Sequence, residues 1–335
     1  MYTQPIALRS VLDPNYLKYC LSDQYDVGDW QECTYWLRGL NDTYRLRTSC
    51  GDYILRIYRQ AVDESDVAYE LSLLLQLRNV LGAGTTQVSE PIAQKDNTFY
   101  SVIHAPEGER VVVLFRYLYG SENLLHDENS CYAFGRSAAE LHTAMDQVNM
   151  QSTRINLDTD FLIRRPLERI ISYIGENHES TSFLRLFANA LIERISETAS
   201  QGLDWGICHG DMHGNNNAFQ EGDTFTHYDF EWSALGWRAY DLAQVRGRKR
   251  QRTERKDELW QAFMAGYRSI REFSEQDESA IELFLMARRF WVMGLDVAFV
   301  PNDTGALDFL EDWLQDFVQE FRDYHLVTSE DIACG

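Results

Sequence analysis

The sequence predicts an α+β chain in two parts, a sheet-forming part followed by a helical one. Up to about residue 115, short runs rich in β-branched and aromatic residues alternate with turn residues. From Asn129 onward, apolar residues recur at helical spacing. A third observation divides the helical part: the polar, glycine-punctuated stretch Ile207 to Gly236 fits no helix. This order predicts two lobes with a cleft between them, and clefts of that kind bind ligands.

In the first part, Trp36 to Arg47 and Tyr53 to Tyr58 read as neighbouring strands joined by the turn Thr48-Ser49-Cys50-Gly51-Asp52. Asp63 to Leu81 reads as an amphipathic helix, capped by Asp63 or Ser65 and ended by Gly82. Val67, Leu71, Leu74, Leu75 and Val80 supply most of its apolar face. Thr98 to Ile103 and Val111 to Leu118 read as two more strands, with Pro106 and Gly108 in the turn between them. In the second part, Cys131 to Met145 reads as a helix whose small residues Gly135, Ala138 and Ala139 invite close packing. Further helices are expected at Phe161 to Asn177, Phe183 to Ala199, Glu258 to Phe273, Glu278 to Val300 and Gly305 to Tyr324. The lobe boundary falls after Leu118, giving lobes of 1–118 and 119–335.

Bulk properties narrow the function classes. With 335 residues, 44% of them hydrophobic, the chain has material for two domains or one two-lobed domain. No run of about 18 apolar residues marks a membrane span. Met1 to Asn15 lacks a basic segment followed by an apolar one, so a cytoplasmic protein is the expectation. The six cysteines are scattered without a CxxC pair, which argues against a zinc site and a disulfide framework. Cys208, beside His209, reads as a buried thiol ending a strand rather than a nucleophile. A net charge of −21 repels nucleic acid and anionic membranes, so neither is an expected partner. The basic run Arg246 to Arg252 reads as a solvated segment, with contact to an anionic substrate group as the alternative.

The stretch from His209 to Glu231 carries the chemistry. Phosphoryl transfer from ATP needs a carboxylate to orient the acceptor hydroxyl and take its proton. It also needs oxygen ligands for magnesium and a cation on the phosphates. Asp211 fits the first role. Asn216 and Asp229 fit the second, because a hairpin through Glu221-Gly222-Asp223 returns Asp229 to the loop holding Asp211 and Asn216. His209 and His213 have the spacing of a helical metal pair, but Gly210 and Gly214 oppose a helix, so a backbone-bonding role is expected. Asp241 is expected to bond the same loop, and His142 to be a satisfied core histidine. Glu231 is either a third metal ligand or a strand-end acid.

His209-Gly210-Asp211-x-His213-x-x-Asn216, followed by Asp229-Phe230-Glu231, resembles the signature of the aminoglycoside phosphotransferase and choline kinase superfamily, distant relatives of the protein kinases. The first motif is similar to the kinase catalytic loop H-R-D-x-x-x-x-N, and the second stands where kinases have D-F-G. Gly236-Trp237-Arg238-Ala239-Tyr240-Asp241-Leu242-Ala243 is most similar to the branch that holds homoserine-kinase-like and stress-response-kinase-like proteins. The resemblance runs from about Leu37 to Arg289. It implies a two-lobed protein-kinase-like fold, with an antiparallel sheet and one helix in the N-lobe and a mostly helical C-lobe. It also implies ATP and Mg2+ as cofactors and transfer of the γ-phosphate to a hydroxyl of a small molecule.

The same resemblance implies a phosphate-binding cation on the third strand, paired with a helix glutamate. None of the four lysines, Lys18, Lys95, Lys249 and Lys256, lies on Tyr53 to Tyr58. Arg56 stands at the matching position, keeps the charge and offers a fork to phosphate oxygens, with Glu70 as its natural partner. Gly39-Leu40-Asn41-Asp42-Thr43 stands where a nucleotide-covering loop would, without the repeated glycines of a protein-kinase loop. Arg116 and Leu118, just before Gly120, would form a hinge whose backbone bonds the adenine edge.

Two other functions stay open at this point: a protein serine/threonine kinase of the stress-response type, and a catalytically inactive nucleotide-binding regulator. The presence of Asp211, Asn216 and Asp229 together speaks against the regulator. Only nine residues separate Glu231 from Asp241, too few for a long peptide-cradling segment, which favours a small acceptor. The net charge of −21 and the acids Asp296, Asp308, Glu311, Asp312 and Asp316 on the C-terminal helices point either to an amine-bearing acceptor or to acids that only solubilise the surface.

Overall fold

The computed structural model describes residues 7–122, 125–151, 154–220, 223–247, 254–299 and 311–327. The chain forms two compact units, each assembled from separate stretches. Met1–Asn123, Thr143–Arg154 and Asn216–Glu231 make the first; Leu124–His142, Ile155–Asn215 and Trp232–Gly335 make the second.

The first unit opens with helix α1 (Pro14–Leu21), absent from the sequence reading. Asp13 caps it by accepting the Asn15 N–H at 2.7 Å, and Pro14 supplies the preset first turn. Its Leu17 and Leu21 are fully buried among side chains of the main sheet. That sheet takes β1 (Trp30–Arg38), β2 (Asp42–Thr48), β3 (Gly51–Ile57), β5 (Ser101–Ala105) and β6 (Gly108–Arg116), with β4 (Thr86–Val88) lying outside it. The strand order is β1-β2-β3-β6-β5, antiparallel throughout.

The expected single strand Trp36 to Arg47 is two strands. Gly39-Leu40-Asn41 reverses the chain so that Arg38 pairs with Asp42. Asn41 is the reason: its side chain turns inward and accepts the Arg59 N–H at 2.9 Å, which breaks the extended run. The turn into β3 is tight, with Thr48 Oγ1 accepting the Cys50 N–H at 3.1 Å.

Helix α2 (Glu64–Leu81) starts after Asp63 and stops at Gly82, which takes a left-handed φ of 58°. Its buried face is Val67, Tyr69, Glu70, Leu71, Leu73, Leu74 and Leu77. Leu75 is only half-buried and Val80 is exposed, so the inner face is rotated from the expected one and includes the acid Glu70.

Two later strands complete this unit. β8 (Asn217–Gln220) and β9 (Thr224–His227), which follow β7 (Trp205–Cys208) in the chain, form an antiparallel hairpin. β9 also pairs in parallel with β4. Tyr228 donates its N–H to the Asn216 carbonyl at 3.0 Å, so the hairpin brings the chain back to Asn216 just before Asp229.

The second unit is helical. It contains most of α3 (Glu128–Met145), then a wide turn at Asp160–Arg164 continuing into α4 (Arg165–Ile174) and α5 (Thr181–Ser200). The expected helix to Asn177 stops at Ile174 because Gly175 turns the chain with φ 97°. β7 pairs with β10 (Ala234–Trp237), and α6 (Arg238–Arg246), α7 (Lys256–Arg268), α8 (Glu275–Ser279), α9 (Ile281–Phe299) and α10 (Glu311–Asp323) follow. The start expected for the last helix, Gly305, lies outside the described residues. Helix α9 is the centre of the packing, touching α4, α5, α6 and α8.

Helices α3 and α7 meet backbone to backbone. A Cβ on Gly135 would strike the Phe263 carbonyl, and one on Gly266 would strike the Tyr132 carbonyl. No described helix is long and apolar enough to cross a membrane.

Candidate active site

In the first unit, Arg56 on the middle strand β3 faces three carboxylates. Its Nη1 lies 3.7 Å from Glu70 Oε1 on α2, and its Nη2 lies 3.2 Å from Glu231 Oε2 and bonds Asp229 Oδ1. The guanidinium stacks over the Tyr58 ring at 5.0 Å, and Tyr58 donates its hydroxyl to Glu70 Oε2 at 2.8 Å. Burial pushes the Glu70 carboxyl up to about 7 against the pull of Arg56, and Asp229 and Glu231 add to the rise.

Glu231 is held on every side. It is buried, it pairs with Arg59 as well as Arg56, and it accepts the Asn41 amide N–H at 2.5 Å. Its main-chain carbonyl accepts from Arg154, which also pairs with Asp66 at 2.8 Å. Asp229 differs. A third of its side chain is exposed (34%), and its backbone has a left-handed φ of 67°, a conformation that costs a non-glycine residue energy. Asn216 is half-buried.

The expected nucleotide-loop and hinge residues are found as follows. Gly39 is exposed; its N–H donates to the Asn41 carbonyl and its own carbonyl accepts from Arg9, each at 3.1 Å. The Asn41 side chain is spent between Glu231 and Arg59. Arg116 pairs with Glu90, and its N–H donates to the Glu90 carbonyl at 2.9 Å. Leu118 follows, half-buried and outside any strand.

In the second unit, the loop after β7 carries Asp211. Gly210 has φ 81°, and a Cβ there would run into the Trp232 carbonyl. Asp241, fully buried on α6, accepts the His209 N–H at 2.6 Å and the Gly210 N–H at 2.9 Å, while His142 on α3 bonds Asp241 at 3.0 Å and the Tyr267 hydroxyl at 2.8 Å. Both loop histidines serve the backbone: His209 Nδ1 accepts from the Asp211 N–H at 3.2 Å, and His213 Nδ1 accepts from the Asn215 N–H at 3.3 Å. Cys208 is buried and its thiol is pushed well up by that burial, so it is no nucleophile.

The Asp211 carboxylate bonds Arg288 of α9 through Oδ1, and His213 Nε2 lies 3.5 Å from Oδ2. Burial alone would raise this acid, but Arg288, His213 and His209 hold it well below the usual carboxylate range. Sequence reasoning offers no signal for Arg288, which meets Asp211 across 77 positions, nor for Arg59, which meets Glu231 across 172.

Among the proposed acceptor acids, Asp296 accepts the Trp313 Nε1–H at 3.1 Å, and Asp312 and Asp316 are exposed. Asp308 and the Glu311 side chain lie outside the described residues. Arg246 pairs with Asp257 at 2.7 Å, and most of the basic run after it also lies outside them.

Among the described residues, no group of three or more His, Cys, Asp or Glu could hold a metal ion unaided. The donors present suit a different arrangement. A partly exposed carboxylate at Asp229 and an amide at Asn216 are hard oxygen donors of the kind that bind magnesium together with substrate phosphates.

The phosphotransferase enzyme family matches residues 38–273, and the chain belongs to that family. A protein of Deinococcus radiodurans is 33% identical over 328 residues, covering 95% of this chain and 93% of its own length. A homoserine kinase of Neisseria meningitidis is 25% identical, covering 86% of this chain and 90% of its own. Among solved structures, an amicoumacin kinase in complex with AMP-PNP, Ca2+ and Ami superposes with a TM-score of 0.75 at 18% identity, over 94% of each chain. The fold is therefore the protein-kinase-like fold of the aminoglycoside phosphotransferase and choline kinase enzymes, as the motifs imply.

Proposed function

We propose that this protein is a kinase that moves the γ-phosphate of ATP, bound with Mg2+, to a hydroxyl of a small molecule. The observation that supports this best is Asp211, an ionised carboxylate on a loop whose backbone Asp241 fastens, in a chain of the phosphotransferase family. In this reading Asp211 orients the acceptor hydroxyl and takes its proton as the phosphoryl group arrives. Asp229 and Asn216 would hold Mg2+, which when bound would offset the charge of the phosphates. Arg56, steered by Glu70, meets the phosphate oxygens. Glu231 is already occupied by two arginines and serves as an anchor rather than a third metal ligand.

The amides of Arg116 and Tyr117 donate to the carbonyls of Glu90 and Asp52, which leaves Leu118 as the adenine-facing hinge residue. Gly39 covers the nucleotide with its backbone, and Asn41 fixes that loop from within. The segment from Glu231 to Asp241 is filled by a short turn of helix, β10 and the start of α6, and holds no long loop for a peptide. A small acceptor follows. A homoserine kinase and an amicoumacin kinase stand among the similar proteins, so hydroxyl-bearing amines are the first to try.

The test is MgATP consumption with L-homoserine, amino alcohols, sugars, aminoglycosides and a generic protein substrate, with Asp211→Asn assayed in parallel. The variant is expected to lose roughly 100- to 10,000-fold in kcat while binding ATP normally. Retention of more than about a tenth of the wild-type kcat would remove Asp211 from this role.

A further inference from the structure

We infer that Arg288 is a positioning residue for Asp211: it grips Oδ1 together with the preceding carbonyl and so fixes the orientation in which the carboxylate meets the acceptor. The inference rests on the reading of Asp211 as the acting carboxylate, and the experiment below separates the two.

The geometry is that of a clamp rather than a chance pair. Nη2 of Arg288 bonds Asp211 Oδ1, while Nη1 donates to the Gly210 carbonyl at 3.3 Å and to the Tyr240 hydroxyl at 3.1 Å. One guanidinium therefore grips two consecutive loop residues. The rigid fork of arginine suits this, and the single point of a lysine ammonium does not. The guanidinium is itself immobilised, because it stacks on the Trp291 ring at 4.1 Å, one helical turn further along α9. Trp291 in turn packs edge-on against Trp232 at 5.0 Å, and the Trp232 carbonyl is the group that demands glycine at 210. Gln244 adds a second donor to the Gly210 carbonyl at 3.1 Å. The carboxylate and the guanidinium are each only 15% exposed, so water screens their interaction weakly.

The chemical consequence concerns proton transfer. A carboxylate this strongly stabilised is a poor base before the reaction begins. It takes the hydroxyl proton only as the oxygen acidifies on bonding phosphorus, so its earlier service is orientation. Among the described residues, the groups facing Asp211 include Arg288 from α9, Tyr240 from α6, and His209 and His213 from its own loop. Asp241 reaches the two preceding amides. Of these, Arg288 is the one permanent cation.

The experiment compares wild type, Arg288→Gln, Arg288→Lys and Asp211→Asn, using MgATP turnover against pH with the best acceptor from the panel above. 13C-carboxyl NMR of aspartate-labelled protein is recorded alongside, with the Asp211 signal assigned by its loss in Asp211→Asn. Thermal melts verify that each variant is folded, and the NMR titration needs no acceptor. In Arg288→Gln the Asp211 carboxyl should titrate roughly 1–3 pH units higher than in wild type. The acid limb of kcat should move up with it, kcat should fall roughly 10- to 100-fold, and the KM for ATP should be unchanged. Arg288→Lys should restore the low titration midpoint but only part of kcat. An unmoved Asp211 titration in folded Arg288→Gln overturns the inference, as does a lysine variant no better than glutamine. If Asp211→Asn itself keeps full turnover, the role of Asp211 falls first; if it is inactive while Arg288→Gln matches wild type, only the role of Arg288 falls.

Discussion

Around Arg56, three carboxylates, Glu70, Asp229 and Glu231, face two guanidiniums, Arg56 and Arg59. Around Asp211, a single carboxylate faces Arg288 and His213, while His209 accepts the Asp211 backbone N–H. Counted formally the first cluster carries surplus negative charge, reduced by the raised Glu70 carboxyl, and Asp229 is the most exposed of its three acids. The second has its charge met. A hard cation is drawn to the first kind of site, whereas the second, with its carboxylate oriented by a fixed cation, suits a neutral hydroxyl that donates its hydrogen bond to it. In the proposed reading the first cluster would hold the metal nucleotide and the second would present the alcohol.

The comparison breaks most readily at Asp229. In Asp229→Ala, magnesium is expected to stop tightening ATP, which isothermal calorimetry with and without the metal reads directly. Unchanged magnesium dependence would mean that the surplus charge of the first cluster has another purpose. Asn216→Ala should weaken the same effect without abolishing it, because it removes a neutral donor only.

A smaller effect is expected at Arg56. Hydrogen bonds to charged groups contribute about 1.5–3 kcal/mol. Arg56→Ala should therefore raise the KM for ATP roughly 10- to 100-fold, and Arg56→Lys should recover part of the loss by keeping the charge without the fork. Normal steady-state constants in the alanine variant would mean that Arg56 serves only to hold Asp229 and Glu231.

An effect read on stability rather than on turnover sharpens the electrostatic side. Glu70 titrates at about 7 in the folded chain against an ordinary value of 4.5. Below 4.5 it is protonated folded or unfolded, so its contribution to stability is then fully present. As pH rises from 4.5 to 7, the unfolded chain gives up the proton first, and stability is lost. Wild type should therefore weaken relative to Glu70→Gln over that window, by at most about 1.4 kcal/mol per pH unit, and then level off. Urea unfolding at several pH values measures this, and parallel curves would show that Arg56 already offsets the burial of Glu70.

The sequence is legible where the information is local. Asp63 and Gly82 bound α2 as read, although the Asp63 side chain makes no capping hydrogen bond, and Gly135 marks a close approach, that of α7. Asp13-Pro14 is an equally local signal for α1. The motifs from His209 to Glu231 are readable because their spacing encodes a loop and a hairpin. Their surroundings are not readable. Neither Arg59 against Glu231 nor Arg288 against Asp211 follows from spacing, since those pairs exist only once strands and helices have packed. The inward turn of Asn41 is likewise a tertiary preference, and it splits a run that reads as one strand.

The crossing of α3 and α7 has a consequence for how descendants of this sequence can drift. At Gly135 and Gly266 the obstacle to any larger residue is main chain, so no second substitution on the opposing helix can make room. Most packing contacts can be renegotiated by paired changes; these two positions cannot. Two helical turns along α3 from Gly135 stands His142, whose ring joins Tyr267 of α7 to Asp241. A larger residue at either glycine would press α3 and α7 apart, and the His142 ring that bonds both Tyr267 and Asp241 lies along the same contact, so helix packing and the support of Asp241 are constrained together.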